Sequence, residues 1–566
     1  MSSAKIGKYH PTSKSTQEAI DFALEIRDKS IANVDKLFPA SIESKHSQEY
    51  PNELPLNTTP LLKERLTHED YTIVAEKVSV LLEKIANGIY SSVSVAGAYL
   101  RAAVIAQHAV NCITELLPEE ALATAQKLDN YLRENGKTIG PLHGLPISIK
   151  EMCQIKGHYC NFGFVAFTDN FIEEDPVLLK NLYAAGAVPF ARTTNPQSLM
   201  QIETHSNIYG TTNNPHNANL TCGGSSGGEG ALIGFGASPV GVATDIGGSI
   251  RTPASNCGVY AIKPSSGRLP GGDFCHADTG AEAILGVVGP VAKDLETVEL
   301  FMSSVISQEP WRLDPSLSPI PWNSNSLFTK KIKIAILDND GIVTPHPPVQ
   351  RAMKEVIAKL EAAKIDGLEI ELVRWQPYRH DKAWEIISSL YFEDGAQEQR
   401  EILKAGGEKE LPLTSWIFSQ NVPEKPYSIA ELWAKAIERD EYRSAYNLLW
   451  EETGTEDGHP VDVILTPATP GAAPPHHNSK YWGYTAQWNL LDYPAVIFPV
   501  TKVDQNIDKK DASYFPKNPS DQFNYDLYDP EKYVDAPVSL QVVGRRLQEE
   551  KVIQACKLIE RAMGRY

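Results

Sequence analysis

The residues with the types and spacing for covalent chemistry concentrate in 223–256, GGSSGGEGALIGFGASPVGVATDIGGSIRTPASN, where two glycine-serine clusters flank an apolar segment. Three chemistries compete for it. A phosphate cradle of the form G-x-x-x-x-G-K-[ST] needs a lysine, and none occurs between Arg192 and Lys263. A nucleophile elbow is matched literally by Gly223-x-Ser225-x-Gly227 and Gly224-x-Ser226-x-Gly228, but that motif requires a buried strand immediately before it. The preceding TTNNPHNANLTC is polar and turn-forming, so a Ser-His-Asp esterase is kept only as an alternative.

In the third chemistry the nucleophile is Ser249. Pro239 to Ala243 fits a buried strand, and Asp245-Ile246-Gly247-Gly248-Ser249 is a sharp turn out of it. Two glycines let consecutive backbone N–H groups converge on one small space, as an oxyanion hole requires, and one such donor is worth roughly 3–4 kcal/mol at the transition state. A serine nucleophile also needs a base. Ser225 or Ser226 could relay the proton and Lys150 could accept it. The run Ile147-Ser148-Ile149-Lys150 alternates, so a strand places Ser148 and Lys150 on one face. To be neutral near pH 7, Lys150 must fall from about 10.4 by roughly three units, about 4 kcal/mol, which takes burial away from carboxylates. Glu151 must therefore point away.

The stretch GGSSGGEG…TDIGGSIRTPAS resembles the signature of the amidase signature hydrolases, and GLPISIKEM resembles that family's lysine-bearing strand. Looser resemblance runs through TNPQSLM (194–200), CGVYAIKPSSGRL (257–269), DVILTPATP (462–470) and LQVVGRRLQEE (540–550), covering the chain from about residue 90 onward. The flanking segments look most like the fungal acetamidase-type branch. The resemblance implies a Ser-cisSer-Lys triad, with Ser249 as nucleophile, Ser225 as bridging serine after a cis peptide at Gly224, and Lys150 as general base. It implies an oxyanion hole from the N–H groups of Ile246, Gly247, Gly248 and Ser249, and bracing by Ser226, Asp245 and Arg251. The implied reaction is acyl-enzyme hydrolysis of the C–N bond of a small carboxylic amide, releasing ammonia or an amine. Esters and carbamates such as alkyl urethanes are within reach of the same chemistry, and no metal or organic cofactor is required. The glutamine-hydrolysing subunit of a tRNA-dependent amidotransferase is the alternative inside the family; a non-catalytic scaffold would have no reason to keep all three triad positions.

The elements that must position these residues are read from pattern. Ser15-x-x-Glu18 is a capping box opening a helix through about Leu37. Thr67-x-x-Asp70 opens another, with Val74, Val78, Leu81, Leu82 and Ile85 on one stripe. Residues 39–66 suit an extended wrap, and two more helices are expected at about 94–112 and 119–134. Strands are expected at 332–337, 368–375, 461–467 and 493–500, with an amphipathic helix at 347–364. The expected fold is α/β: a single large mixed β-sheet flanked by helices, the amidase signature α/β/α fold, with an N-terminal helical extension. Its expected divisions are a wrap at 1–90 and a core at 91–566, with a middle insertion at about 300–460 and a polar surface excursion at 501–537.

Composition bounds the rest. The 566 residues carry 53 basic and 71 acidic side chains, a formal charge of -18, which gives nucleic acid or anionic lipid no electrostatic support as a partner. A hydrophobic share of 42% and a charged share of 22% fit a packed globular chain. Seven cysteines without a CxxC pair, no apolar run of about 18 residues and no N-terminal h-region point to a cytoplasmic protein acting on a small-molecule amide. A homodimer is left open. His476, His477, Trp482, Tyr484 and Trp488 are candidates for a pocket wall without an assigned role. Leu199 and Met200 could touch the acyl group, and Cys222 reads as a small buried residue rather than a reactive thiol.

Overall fold

The computed structural model describes residues 9–38, 54–325, 327–328, 330–365 and 367–565. The N-terminal capping box forms: the Ser15 side chain accepts from the Glu18 N–H while the Glu18 carboxylate accepts from the Ser15 N–H, and the helix runs Thr16–Leu37. It is tied to the core by Ser30, whose hydroxyl accepts the Leu116 N–H at 2.9 Å. The second expected helix is two, His68–Ala75 and Val78–Ala86, because Glu76 and Lys77 are extended, with ψ of 148° and 142°. The apolar stripe survives the break. Val74, Val78, Leu81 and Ile85 are all buried, and Glu76 leaves the helix to pair with Lys84. Of the expected wrap 39–66, residues 39–53 lie outside the described residues, and the segment ends in a short helix, Pro60–Arg65. Ser92–Val110 and Pro118–Asn135 follow. Among the described residues Ser92–Val110 is the one helix long and apolar enough to cross a bilayer, and 72% of that span is buried inside the protein, as in a core helix.

One mixed sheet of 11 strands organises the rest. In chain order they are β1 (Ile113–Leu116), β2 (Pro146–Lys150), β3 (Val188–Thr193), β4 (Val240–Asp245), β5 (Tyr260–Lys263), β6 (Val287–Ala292), β7 (Lys331–Ile336), β8 (Glu369–Arg374), β9 (Val463–Pro467), β10 (Ala495–Lys502) and β11 (Pro537–Val543). Across the sheet they lie in the order β1-β3-β2-β4-β6-β5-β10-β11-β9-β7-β8. β1 was not expected from sequence; four residues between two helices carry too short an alternation to be seen. β7 and β8, from the middle of the chain, form the far edge in parallel register with β9. Within 501–537, after β10 ends, the chain forms the helix Pro519–Leu527 before returning in β11.

The site depends on the pairing of β2. It runs parallel to both β3 and β4, with Ser148 opposite Gly241 and Ile149 opposite Val242. Parallel neighbours bring their C-terminal ends to the same edge, where ligands of open α/β sheets gather. Lys150 at the end of β2 and Thr244 and Asp245 at the end of β4 therefore emerge side by side. All five residues of β2 are buried, so the lysine cannot reach solvent along the strand.

Candidate active site

Lys150 is 0% exposed and donates from Nζ to Ser225 Oγ at 2.7 Å and to Thr244 Oγ1 at 2.8 Å. Both partners are neutral hydroxyls. Burial pushes the lysine down to about 7 against the weaker opposing pull of Cys153, Asp245, Glu229 and Glu151. The nearby carboxylates are disarmed in different ways. Glu151 turns away to accept the N–H groups of Asn161 at 2.6 Å and Phe162 at 2.8 Å. Glu229 accepts from Ser148 at 2.5 Å and Thr193 at 2.7 Å, and burial pushes its carboxyl up to about 8.

A lowered pKa alone does not mark a base. Lys263, buried, and Lys293, partly buried, are also pushed down by desolvation to about 8. They donate to backbone carbonyls, of Pro264 at 2.9 Å and Val74 at 2.7 Å. Lys150 alone of the three contacts a serine that opens into a cavity.

Ser225 follows a cis peptide bond at Gly224–Ser225. Gly224 is packed so that a Cβ would lie 2.5 Å from the Glu203 backbone, which excludes any larger residue. Ser226, the other candidate relay, is turned elsewhere: its hydroxyl donates to Thr244 O at 3.2 Å and accepts the Thr244 N–H at 3.3 Å. Its own N–H donates to Ser249 O at 3.1 Å, pinning the first serine cluster to the second.

The turn that carries Ser249 is held by a buried ion pair. Arg251 Nη2 and Nε each reach Asp245 at 3.0 Å, both side chains fully buried. Burial raises the Asp245 carboxyl, but Arg251 with Lys263 and Asn489 outweighs it and holds the group at about 2. Asp245 also accepts the N–H groups of Gly248 at 2.8 Å and Ile250 at 3.0 Å. Of the four donors expected for an oxyanion, the Gly248 N–H is thus already engaged. Those of Ile246, Gly247 and Ser249 have no acceptor among the described residues. Gly248 has φ of 136° and a Cβ there would meet Thr485 Oγ1 at 2.5 Å, so the turn requires glycine.

Four residues missed in the sequence complete the brace. Thr485 Oγ1 donates to Gly247 O at 2.7 Å, and Asn489 Nδ2 donates to Asp245 Oδ1 at 2.9 Å. Tyr391 donates to Ile246 O at 3.1 Å. Thr252 Oγ1 donates to Gly224 O at 2.6 Å and lies 3.0 Å from Gly248 O, joining the two serine-bearing loops. Thr485 and Asn489 sit four apart on the helix Gly483–Leu490, a same-face spacing that was available as a signal.

Ser225 and Ser249 open together into a cavity of about 370 Å³, with Thr244, Asp245 and Ile246 beside them. Met152, Leu199, Met200, Phe274, Ile284 and Val288 supply apolar wall, so Leu199 and Met200 do reach the cavity. The other pocket candidates do not. His477 donates its N–H to buried Glu203 at 2.6 Å, and His476 lies 3.5 Å from the same carboxylate. Trp482, Tyr484 and Trp488 are buried in the core, with Trp482 packed against Gly247, where a Cβ would meet its ring at 2.9 Å. The Cys222 thiol is buried against Thr212 O at 3.3 Å, and burial pushes its pKa up, which makes it inert.

The amidase family model matches residues 94–553. An acetamidase of Emericella nidulans is 38% identical over 506 residues, covering 88% of this chain and 91% of that protein. An acetamidase of Aspergillus oryzae is 37% identical over 506 residues, covering 88% and 92%. A solved structure of a fatty acid amide hydrolase superposes with a TM-score of 0.86 at 32% identity, over 97% of this chain and 99% of that one. The matched span takes in β2, both serine clusters and the bracing helix Gly483–Leu490, and the chain belongs to the amidase signature family of amide-hydrolysing enzymes.

Proposed function

We propose that the protein hydrolyses the C–N bond of carboxylic amides through a Ser249 acyl-enzyme, with Ser225 as relay and Lys150 as base. The observation that carries this reading is the 2.7 Å contact between Ser225 and a fully buried lysine pushed down to about 7. Ser249 Oγ attacks the carbonyl carbon as its proton passes to Ser225 and that of Ser225 passes to the neutral amine of Lys150. The oxyanion accepts from the N–H groups of Ile246, Gly247 and Ser249. The proton then returns through Ser225 to the leaving nitrogen, the C–N bond breaks, and ammonia or an amine departs. Water, deprotonated by the same relay, opens the Ser249 ester and releases the acid. Thr244 accepts from the amine of Lys150 on a second side, which holds the amine next to Ser225.

The partner of Ser225 being lysine rather than histidine favours this over a Ser-His-Asp mechanism. A cavity of about 370 Å³ lies at the lower end of the roughly 300–1,000 Å³ typical of ligand pockets and exceeds what acetamide fills. The reading is thus of small to medium acyl groups, with esters and alkyl carbamates sharing the same attack and oxyanion. Seven buried cysteines, none in a disulfide, support a reducing, cytoplasmic setting.

The test is a phosphonate probe followed by peptide mapping, with a kcat/KM panel of short amides, anilides and ethyl carbamate. Labelling at Ser249 is expected. Labelling that survives Ser249→Ala, or a Lys150→Ala enzyme with an unaltered pH profile, would sink the mechanism.

A further inference from the structure

On the face of β2 that carries Lys150 lies a carboxyl that the mechanism does not use. Glu229, in the first turn of the helix Gly227–Phe235 that follows the first serine cluster, is 0% exposed. Its partners among the described residues are hydroxyls. Oε2 accepts from Ser148 at 2.5 Å and Oε1 from Thr193 at 2.7 Å, and Ser148 Oγ in turn lies 2.9 Å from Ser238 Oγ. The strands leave room for it: Ser148 pairs with Gly241 across β2 and β4, and a Cβ on that glycine would overlap Glu229 Oε2. Ser148 and Lys150 stand two apart on β2 and so share a face, while Lys150 lies opposite Thr193 on β3. The two hydroxyls that hold the carboxyl thus flank the lysine in the sheet.

Inside a face closed to water the two groups are linked. Burial favours the neutral form of each, pushing Lys150 down to about 7 and the Glu229 carboxyl up to about 8, and against it each charge favours the other. The first turn of a helix also favours the carboxylate. The remaining charges around the pair are committed elsewhere. Asp245 is matched by Arg251, and Glu151 accepts two N–H groups and has Arg192 at 3.6 Å. Arg192, one residue before Thr193, faces the other side of β3, where it meets Glu115 at 3.0 Å. The thiols of Cys112 and Cys153, which also feel the carboxyl, stay uncharged because burial pushes them well up. Glu229 is therefore the neighbour whose charge changes in the range where the lysine titrates.

We propose that Glu229 is a positioning residue that acts through Lys150: its carboxyl, held on the lysine's face of the sheet by Ser148 and Thr193, sets the pH at which the lysine is free to take a proton from Ser225. The inference rests on the hydrolase reading for the role of the lysine. While Glu229 is ionised the ammonium is retained and the relay is idle. With the carboxyl neutral, the lysine gives up its proton at lower pH. The rise of activity with pH is thereby drawn out, because each carboxyl that ionises on the way up strengthens its lysine's hold on a proton.

The experiment is the pH profile of kcat/KM on a short amide for the parent enzyme, Glu229→Gln and Ser148→Ala. Glutamine keeps the size and hydrogen-bonding capacity of the side chain while removing its charge. Glu229→Gln is expected to steepen the acid limb and move its midpoint down by about one pH unit, the low end of what an opposite charge within reach does to a pKa. Ser148→Ala withdraws a donor from the carboxylate, so it should move the midpoint the same way by less, and add nothing beside Glu229→Gln. A clamp that only holds the fold would lower the plateau and leave the midpoint in place. A midpoint that Glu229→Gln leaves in place or raises, or a Ser148→Ala shift that persists beside Glu229→Gln, would overturn the proposal. Should Glu229→Gln fail to fold, Ser148→Ala alone decides, and the absence of a downward shift overturns it. An acid limb that survives Lys150→Ala unaltered sinks the hydrolase mechanism, whereas a limb lost in Lys150→Ala but unmoved by Glu229→Gln sinks only the role of Glu229. The titration of Lys150 itself, read by NMR of Cε-labelled lysine in the Ser249→Ala protein, needs no turnover. A midpoint lowered by Glu229→Gln there upholds the coupling even where no amide is hydrolysed, and an unmoved one overturns it.

Discussion

Two fully buried cations stand within one site and are treated in opposite ways. Arg251 has its charge matched on every side, by both oxygens of Asp245, by Thr485 O at 2.8 Å and by Asn489 Oδ1 at 2.5 Å. Lys150 meets two hydroxyls and no carboxylate. In a low-dielectric interior a matched pair is a rigid strut, since opening it strands two charges. An unmatched ammonium instead gives up its proton, and burial alone holds Lys150 at about 7. The contrast separates two uses of burial: the same degree of it yields a lysine of lowered pKa on β2, the base of the proposed mechanism, and a clamp after β4.

Each side of that contrast can be broken. The largest effect expected is on turnover. Lys150→Met or Ser249→Ala should lower kcat by on the order of 10³- to 10⁶-fold, as removal of a member of a concerted catalytic set does, measured on the best amide of the panel. Next, Arg251→Met leaves Asp245 buried without its countercharge and should cost about 3–5 kcal/mol in urea unfolding. Lys150→Met strands no charge and should cost clearly less; equal losses would erase the distinction between strut and base.

The pH profiles should diverge as well. Only neutral Lys150 accepts a proton, so kcat/KM should rise as pH increases through about 7 and then level off. Asp245 has a folded pKa lowered from 3.8 to about 2, so its contribution to stability is complete above 3.8 and is lost as pH falls toward 2. Acid unfolding in that window, with activity already gone at higher pH, is the expected pattern. The smallest effect is at the rim of the brace. Thr485→Val removes one hydrogen bond to Gly247 O, roughly 0.5–1.5 kcal/mol, and should lower kcat/KM by about three- to tenfold through kcat rather than KM.

The residues proposed to react were legible because their chemistry is local. Glycine-serine clusters at 223–228 and 247–249 announce tight turns, and the alternation at 147–150 places a lysine on a buried face. Short apolar runs between glycines and prolines indicated α/β layering, while the single mixed sheet was implied by the family resemblance. What was not legible depends on distance or on geometry. Thr485, Asn489 and Tyr391 act on a turn 145 to 244 residues away, and nothing in their own neighbourhood says so. Trp482, Tyr484 and Trp488 drew notice as aromatics, while the polar Thr485 and Asn489 next to them do the bracing. The Gly248 N–H looked like a fourth oxyanion donor because a glycine pair permits it; only the fold shows Asp245 taking it. The break at Glu76 and Lys77 was hidden because the apolar stripe keeps its spacing across it.

The long reach of that brace bears on how the protein is made. Lys150, Ser225 and Ser249 leave the ribosome in the first half of the chain, whereas Thr485 follows Arg251 by 234 residues and Asn489 follows it by 238. Until then the Ser249 turn has its glycines and its Asp245–Arg251 pair but nothing to hold Gly247 O or to saturate the guanidinium. A chain stalled or cleaved before residue 485 therefore carries Lys150, Ser225 and Ser249 but lacks two braces of the Ser249 turn, which is fully held only when synthesis is nearly finished.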